Sequence, residues 1–166
     1  MEGKGRITGH TGLLALIGSP VGHSGSPAMY NYSFEKLGLD YAYVAFDIKV
    51  EEVKAALDAM RLFHMRGCNV TMPCKTEAAK YMDELSPAAR IIGAVNTIVN
   101  EDGKLIGHMT DGEGFVGNLR DHGIEIKGKK ITVAGGGGAA TAIQVQCALD
   151  GAREISIFNI KDDFFE

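Results

Sequence analysis

The sequence predicts an α/β protein: a mostly parallel open sheet carrying an antiparallel hairpin, followed by an incomplete Rossmann-like βαβ unit. Three observations predict it. Short apolar or β-branched runs at residues 13–17, 41–48, 68–71 and 131–134 alternate with segments of helical spacing, the pattern of a parallel sheet covered by helices. An Asp102-Gly103 pair between two further runs marks a hairpin. A Gly135-Gly136-Gly137-Gly138 stretch directly follows the last of the four runs and opens an apolar segment.

Each element has a local cause. After the first strand, Ser26-Pro27 supplies a cap and a first-turn residue in the favoured order, and the helix should run to about residue 37 before Gly38 ends it. The segment 50–63 repeats the helical pattern with Val53, Ala56, Leu57 and Met60 on one face. Pro73, after the third strand, should start another helix. Residues 95–99 and 104–107 flank Glu101-Asp102-Gly103 as the antiparallel pair, and a helix from 111 to about 122 should link two domains. After Lys127-Gly128-Lys129 a new strand-turn-helix-strand unit runs to Glu166, and no internal repeat is present.

Composition narrows the partners. A net charge of −4 gives no general affinity for nucleic acid. An anion must be held by helix N-termini or single Lys and Arg side chains. No run reaches the length of a membrane span and the N-terminus has no signal-peptide core, so a cytoplasmic protein without a membrane partner is expected. Cys68, Cys74 and Cys147 form no CxxC pair, which points to free thiols and to no metal site. Cys74 is the candidate exception, because the adjoining Lys75 ammonium should lower its pKa.

Four polar signatures close four hydrophobic runs, the strand ends at which open α/β sheets collect ligands. Gly18-Ser19-Pro20-Val21-Gly22-His23-Ser24-Gly25-Ser26-Pro27 presents two hydroxyls, Ser24 and Ser26, where a helix dipole favours a carboxylate. Taken alone, Ser26 reads equally as a helix cap. Gly67-Cys68-Asn69-Val70-Thr71-Met72-Pro73-Cys74-Lys75 sets a hydroxyl and an ammonium four residues apart. A lysine just inside a helix start is opposed by the dipole, so a carboxylate or an anionic ligand should favour it. Asn69, Thr71 and Asn96 offer neutral donors and acceptors for hydroxyls, although Asn69 also suits a turn brace. Asp111 alone reads as the cap of the helix that follows.

The glycine-rich stretch fits Gly-x-Gly-x-x-Ala between a strand and a helix. Gly135 would permit the tight turn, Gly137 the approach of a pyrophosphate, and Ala140 close helix packing. Beyond it, Asn159-Ile160-Lys161-Asp162-Asp163 should meet the adenosine ribose. Asp162 would accept from an unphosphorylated ribose and repel a 2′-phosphate, which Lys161 would attract. This gives NAD a modest preference over NADP; the plainer reading of Asp162 and Asp163 is a helix cap.

In this order the signatures resemble the substrate domain of shikimate dehydrogenases, most of all the branch that includes quinate/shikimate dehydrogenases, over about residues 12–166. The resemblance implies that Ser24 and Ser26 bind the substrate carboxylate, that Lys75 and Asp111 touch the ring hydroxyls as a proton-transfer pair, and that Thr71 and Asn96 are further substrate contacts. It also implies cofactor phosphates on Gly135, Gly136, Gly137, Gly138 and Ala139, with Asn159, Lys161 and Asp162 at the ribose. The chain departs from the family at Tyr30, usually His, at Met109, often Asn, and at Ile160, where NADP-dependent relatives carry Arg.

The implied organisation is a shikimate-binding substrate domain at 12–110, a linker helix at 111–126 and a truncated NAD(P)-binding Rossmann domain at 127–166. The implied activity is the reversible NAD(P)-dependent reduction of 3-dehydroshikimate to shikimate, or quinate oxidation, in the pathway to chorismate and the aromatic amino acids. Family members continue well beyond this length. A catalytically inactive substrate-binding fragment or pseudo-enzyme is therefore the alternative, and apolar surface on the second part would favour a homodimer.

Overall fold

The computed structural model describes residues 7–159 and forms two compact units, one of residues up to 84 with 95–107, the other of 85–94 with 108 onward. The first unit is built on β1 (Gly12–Gly18), β2 (Tyr41–Asp47), β3 (Gly67–Val70), β4 (Glu84–Leu85), β5 (Thr97–Glu101) and β6 (Lys104–His108). Their order is β2-β1-β3-β5-β6-β4. β1 pairs parallel with β2 and β3, whereas β5 runs antiparallel to β3 with Asn69 opposite Thr97. The N-terminus of β5 therefore lies at the same end of the sheet as the carboxyl ends of β1 and β3.

Strand alternation sorts the two faces. Leu14 and Leu16 point to α1 (Ser26–Leu37), where Leu16, Val21, Phe34 and Tyr43 form a buried cluster. Ala15 and Ile17 point the other way and are buried, as are Val53, Leu57 and Met60 of α2 (Val53–Leu62). Each such side chain contributes on the order of 1.5–3 kcal/mol when fully buried. The α2 face is the one its spacing predicts. A 3₁₀ turn at Val50–Glu52 precedes α2, so the expected helix at 50–63 is shorter at both ends.

Gly38 ends α1 in the left-handed region with φ 66°. The hairpin turns on Asp102 and Gly103, with φ of 51° and 92°, the two positive angles that an Asp-Gly pair accommodates. β5 starts two residues later than expected, because the Val95 N–H bonds the Lys75 carbonyl at 3.1 Å instead of entering the ladder. α3 (Lys75–Ala79) also starts two residues after Pro73; the Cys74 N–H donates to the Thr71 carbonyl at 3.0 Å and closes a turn first.

The second unit holds α4 (Pro87–Ile92), α5 (Asp111–Asp121), β7 (Lys130–Ala134), α6 (Gly138–Leu149) and β8 (Glu154–Phe158), with β7 and β8 parallel. Val116, Ile126 and Cys147 are its buried centre, with Leu119, Ile131 and Ile143 packed against them. α5, expected as a linker, packs on α6 in this unit. Among the described residues no helix is long and apolar enough to cross a membrane.

Candidate functional site

In the first unit, backbone hydrogen bonds tie three of the four polar signatures together at one end of the sheet. The Thr71 N–H donates to the Ile17 carbonyl at 2.9 Å and the Ser19 N–H to the Met72 carbonyl at 3.0 Å. The Val70 N–H reaches the Asn96 carbonyl at 2.8 Å, and Lys75 is tied to Val95 as above. Segments far apart in sequence thus converge where β1 and β3 end and β5 begins.

Ser24 and Ser26 stand half-buried at the start of α1. Ser26 is the first helical residue and not the cap. Gly25 caps α1 with helical angles (φ −78°, ψ −8°), no side chain caps it, and the Met29 N–H bonds the Gly25 carbonyl at 3.1 Å. The Ser24 oxygen accepts from the Ser26 N–H at 3.2 Å, and its hydroxyl hydrogen can still rotate to donate elsewhere. The capping reading of Ser26 therefore falls, while both hydroxyls remain at the helix entrance.

Lys75 is the first residue of α3, half-buried, with Thr71 half-buried four residues before it. α3 has only five residues, so little dipole opposes the ammonium and the sequence argument from dipole repulsion loses its force. Asn96 is buried beside β5. Asn69 braces: its Oδ1 accepts from the Tyr43 hydroxyl at 2.8 Å and its Nδ2 donates to Thr97 Oγ1 at 3.1 Å. Tyr43 and Thr97 are site supports that the sequence reading missed, and no local pattern announces a bond across 26 residues. Tyr30, the family departure, stacks on Tyr43 with ring centroids 4.5 Å apart.

Cys74 does not have a lowered pKa. Its side chain is fully buried, and burial, with Glu51 and Glu52 nearby, pushes the thiol up. Burial also raises Cys68, to about 12, and raises Cys147.

In the second unit, Asp111 is the first residue of α5, and the capping position falls to Thr110. The glycine-rich loop joins β7 to α6, with Gly135 at φ 127° and Gly137 as the cap. Around it, the Gly135 N–H donates to the Phe158 carbonyl at 2.7 Å and Gln144 Nε2 to the Gly135 carbonyl at 3.1 Å. A Cβ on Gly136 would lie 2.8 Å from Asn159 Nδ2, whereas at Gly137 and Gly138 it would meet nothing within 4 Å. The loop is therefore packed from behind by Asn159 and open in front, with the N–H groups of a 12-residue helix on offer, a fit for a pyrophosphate. Ala139 lies in that first turn. Lys161 and Asp162 lie outside the described residues.

Residues 16–98 match the shikimate dehydrogenase substrate binding domain family. The chain is 57% identical over 160 residues to shikimate dehydrogenase (NADP(+)) of Listeria monocytogenes serotype 4b (strain F2365), covering 96% of this chain and 55% of that protein. With the enzyme of the same name from Streptococcus uberis (strain ATCC BAA-854 / 0140J) the identity is 54% over 162 residues, again 96% and 55% of the two lengths. The fold superposes with a TM-score of 0.95 and 56% identity on the crystal structure of shikimate 5-dehydrogenase from Listeria monocytogenes in complex with shikimate and NAD, over 97% of this chain and 56% of that one. The chain spans about half the length of the curated relatives it matches.

Proposed function

The chain belongs to the shikimate dehydrogenase family, and from that premise we propose that it serves the NAD(P)-dependent interconversion of 3-dehydroshikimate and shikimate, with quinate as the second substrate to test. The observation that carries this reading is the knot of backbone bonds that holds residues 17–19, the Thr71–Lys75 segment and residues 95–96 at one sheet end, with Ser24 and Ser26 following residue 19 at the start of α1. A small hydroxylated carboxylic acid matches the donors gathered there.

In this reading Ser24 and Ser26 hold the carboxylate, and Thr71 and Asn96 the ring hydroxyls. Lys75 and Asp111 bind the hydroxyl that reacts and move its proton. Gly135, Gly136, Gly137, Gly138 and Ala139 carry the dinucleotide phosphates on backbone N–H groups, with Asn159, Lys161 and Asp162 towards the adenosine. When bound, the nicotinamide supplies the hydride acceptor or donor. The sequence preference for NAD rests on residues 160–162, whereas the relatives' names carry NADP(+); NADP is therefore the first cofactor to test. The domain division in this reading remains 12–110, 111–126 and 127–166, in the pathway to the aromatic amino acids.

A second reading is that these 166 residues alone bind the acid without turning it over; among the described residues the sheet beside the loop has two strands, β7 and β8. Calorimetric titration of the chain with shikimate, quinate, NADP and NAD, beside a rate assay, tests both readings. Saturable shikimate binding with turnover supports the first; binding without turnover supports the second. Absence of shikimate and quinate binding sinks the substrate assignment.

A further inference from the structure

The first turn of α5 has no room for a side chain at Gly112. A Cβ there would collide with the Ala142 carbonyl oxygen of α6 and come within 2.8 Å of the Gln146 Cβ and 2.9 Å of the Ala142 carbonyl carbon. Gly112 is buried and Ala142 is 1% exposed, so nothing at the contact can swing aside. The obstacle is helix backbone, which can yield only if one helix moves. The other glycines of the same helix differ: a Cβ on Gly114 or Gly117 would meet nothing within 4 Å.

Glycine costs a helix about 1 kcal/mol relative to alanine, and α5 carries three, Gly112, Gly114 and Gly117. Only Gly112 has a packing reason. It adjoins Asp111, the first residue of α5, and it touches the helix that rises directly from the open glycine-rich loop. Val116 and Cys147 continue the same α5–α6 contact deeper in the core.

We propose that Gly112 is a positioning residue: its missing side chain lets α5 seat on α6, and this fixes the Asp111 carboxylate relative to the dinucleotide-binding loop. The inference rests on the function proposed above. It adds that proton-transfer geometry is set by a helix contact that touches neither ligand. A displacement near 1 Å at a reacting group can cost about a hundredfold in rate.

The test compares Gly112→Ala with Gly114→Ala and Gly117→Ala in the protein at full length. Four readouts are taken: kcat with KM, the pH profile of kcat, the Kd for NADP and for shikimate by fluorescence or calorimetry, and the melting temperature. Gly112→Ala is expected to lower kcat about tenfold to a hundredfold. It should leave the shikimate Kd within about threefold of wild type and shift the kcat–pH profile, because Asp111 is the group displaced. Its melting temperature should fall but stay above the assay temperature. The two control variants should keep wild-type kcat and melt no lower than wild type. Gly112→Ala with wild-type kcat overturns the proposal. So does a kcat loss that disappears when the rate is normalised to folded protein and the pH profile is unchanged, which would reduce Gly112 to packing. If Gly112→Ala does not fold, Val116→Ala, which loosens the same α5–α6 contact without a clash, supplies the comparison under the same criteria. Wild-type protein without dehydrogenase activity would sink the functional reading and this proposal with it, a result distinct from an active enzyme indifferent to Gly112.

Discussion

The Tyr43 hydroxyl donates to Asn69 Oδ1 at 2.8 Å, and that bond decides which way the Asn69 amide faces. With its oxygen held, Asn69 turns its nitrogen to Thr97 Oγ1 at 3.1 Å and to the Asn96 carbonyl at 3.4 Å. Burial, with smaller contributions from Tyr30 and Cys68, raises the Tyr43 pKa well above its ordinary value, so the phenol remains a donor across neutral pH. Polarity thus runs in one direction from the edge strand β2 through β3 to the start of β5.

Tyr43→Phe keeps the ring stack and removes only the hydroxyl. The expected loss in unfolding free energy is about 1 kcal/mol, whereas Asn69→Ala, which leaves that hydroxyl without its acceptor, should cost about 1–3 kcal/mol. Urea unfolding of the chain measures both. A Tyr43→Phe variant as stable as wild type would show that the bond has no net value.

Lys75→Ala in the full-length enzyme should abolish most turnover while shikimate binding stays measurable. A positioned acid-base group contributes about 10²–10⁴-fold in rate. Its place four residues after Thr71, tied through its carbonyl to Val95, motivates the expectation. Steady-state kinetics decide the matter: a variant keeping more than about a tenth of wild-type kcat lies outside that range and removes Lys75 from the chemistry.

Ser24→Ala and Ser26→Ala should raise KM for shikimate more than they lower kcat. Hydrogen bonds to a charged group are worth about 1.5–3 kcal/mol, so each loss should cost about tenfold or more in binding. Because Gly25 caps α1, Ser26→Ala removes no side-chain cap and should barely move the melting temperature, whereas Ser24→Ala also removes the acceptor of the Ser26 N–H and should lower it slightly. Unchanged KM in both variants would take the carboxylate away from this helix entrance.

What the sequence revealed was set by local chemistry. Asp102-Gly103 could only be a tight turn, Gly38 only a helix end, and the Val53, Leu57 and Met60 stripe only a buried face. Positions decided by a neighbour's backbone were misread or missed. Ser26 looked like a cap until Gly25 took helical angles, and 95–96 looked like strand until the Val95 N–H was drawn to Lys75. Gly112 fell inside the expected helix at 111–122 with no sign of its packing role, because its reason, the Ala142 carbonyl, lies 30 residues on. The Ser24, Thr71, Lys75 and Asn96 segments were readable from family likeness, but the anchoring of Thr71 and Lys75 to 95–96 is a property of the antiparallel β5, which brings Asn96 back to the carboxyl end of β3.

Cys74 was the thiol the sequence marked as reactive, and its surroundings reverse that expectation. The thiolate is the nucleophile, and burial raises the pKa of Cys68, Cys74 and Cys147 alike, taking Cys68 from an ordinary 9.0 to about 12. The folded protein therefore holds these protons more tightly than the unfolded chain. The stability this represents is fully present below the unfolded value near 9.0 and is lost as pH rises towards the folded value near 12 for Cys68. A thiol-specific reagent at about pH 8 should label none of the thiols in native protein and all three in urea. Unfolding free energy should decline as pH climbs above about 9, and Cys68→Ala should flatten part of that decline. Fast labelling of Cys74 in folded protein would mean that it opens to solvent beside Lys75 after all, and a pH slope unchanged in Cys68→Ala would assign the alkaline loss to other groups.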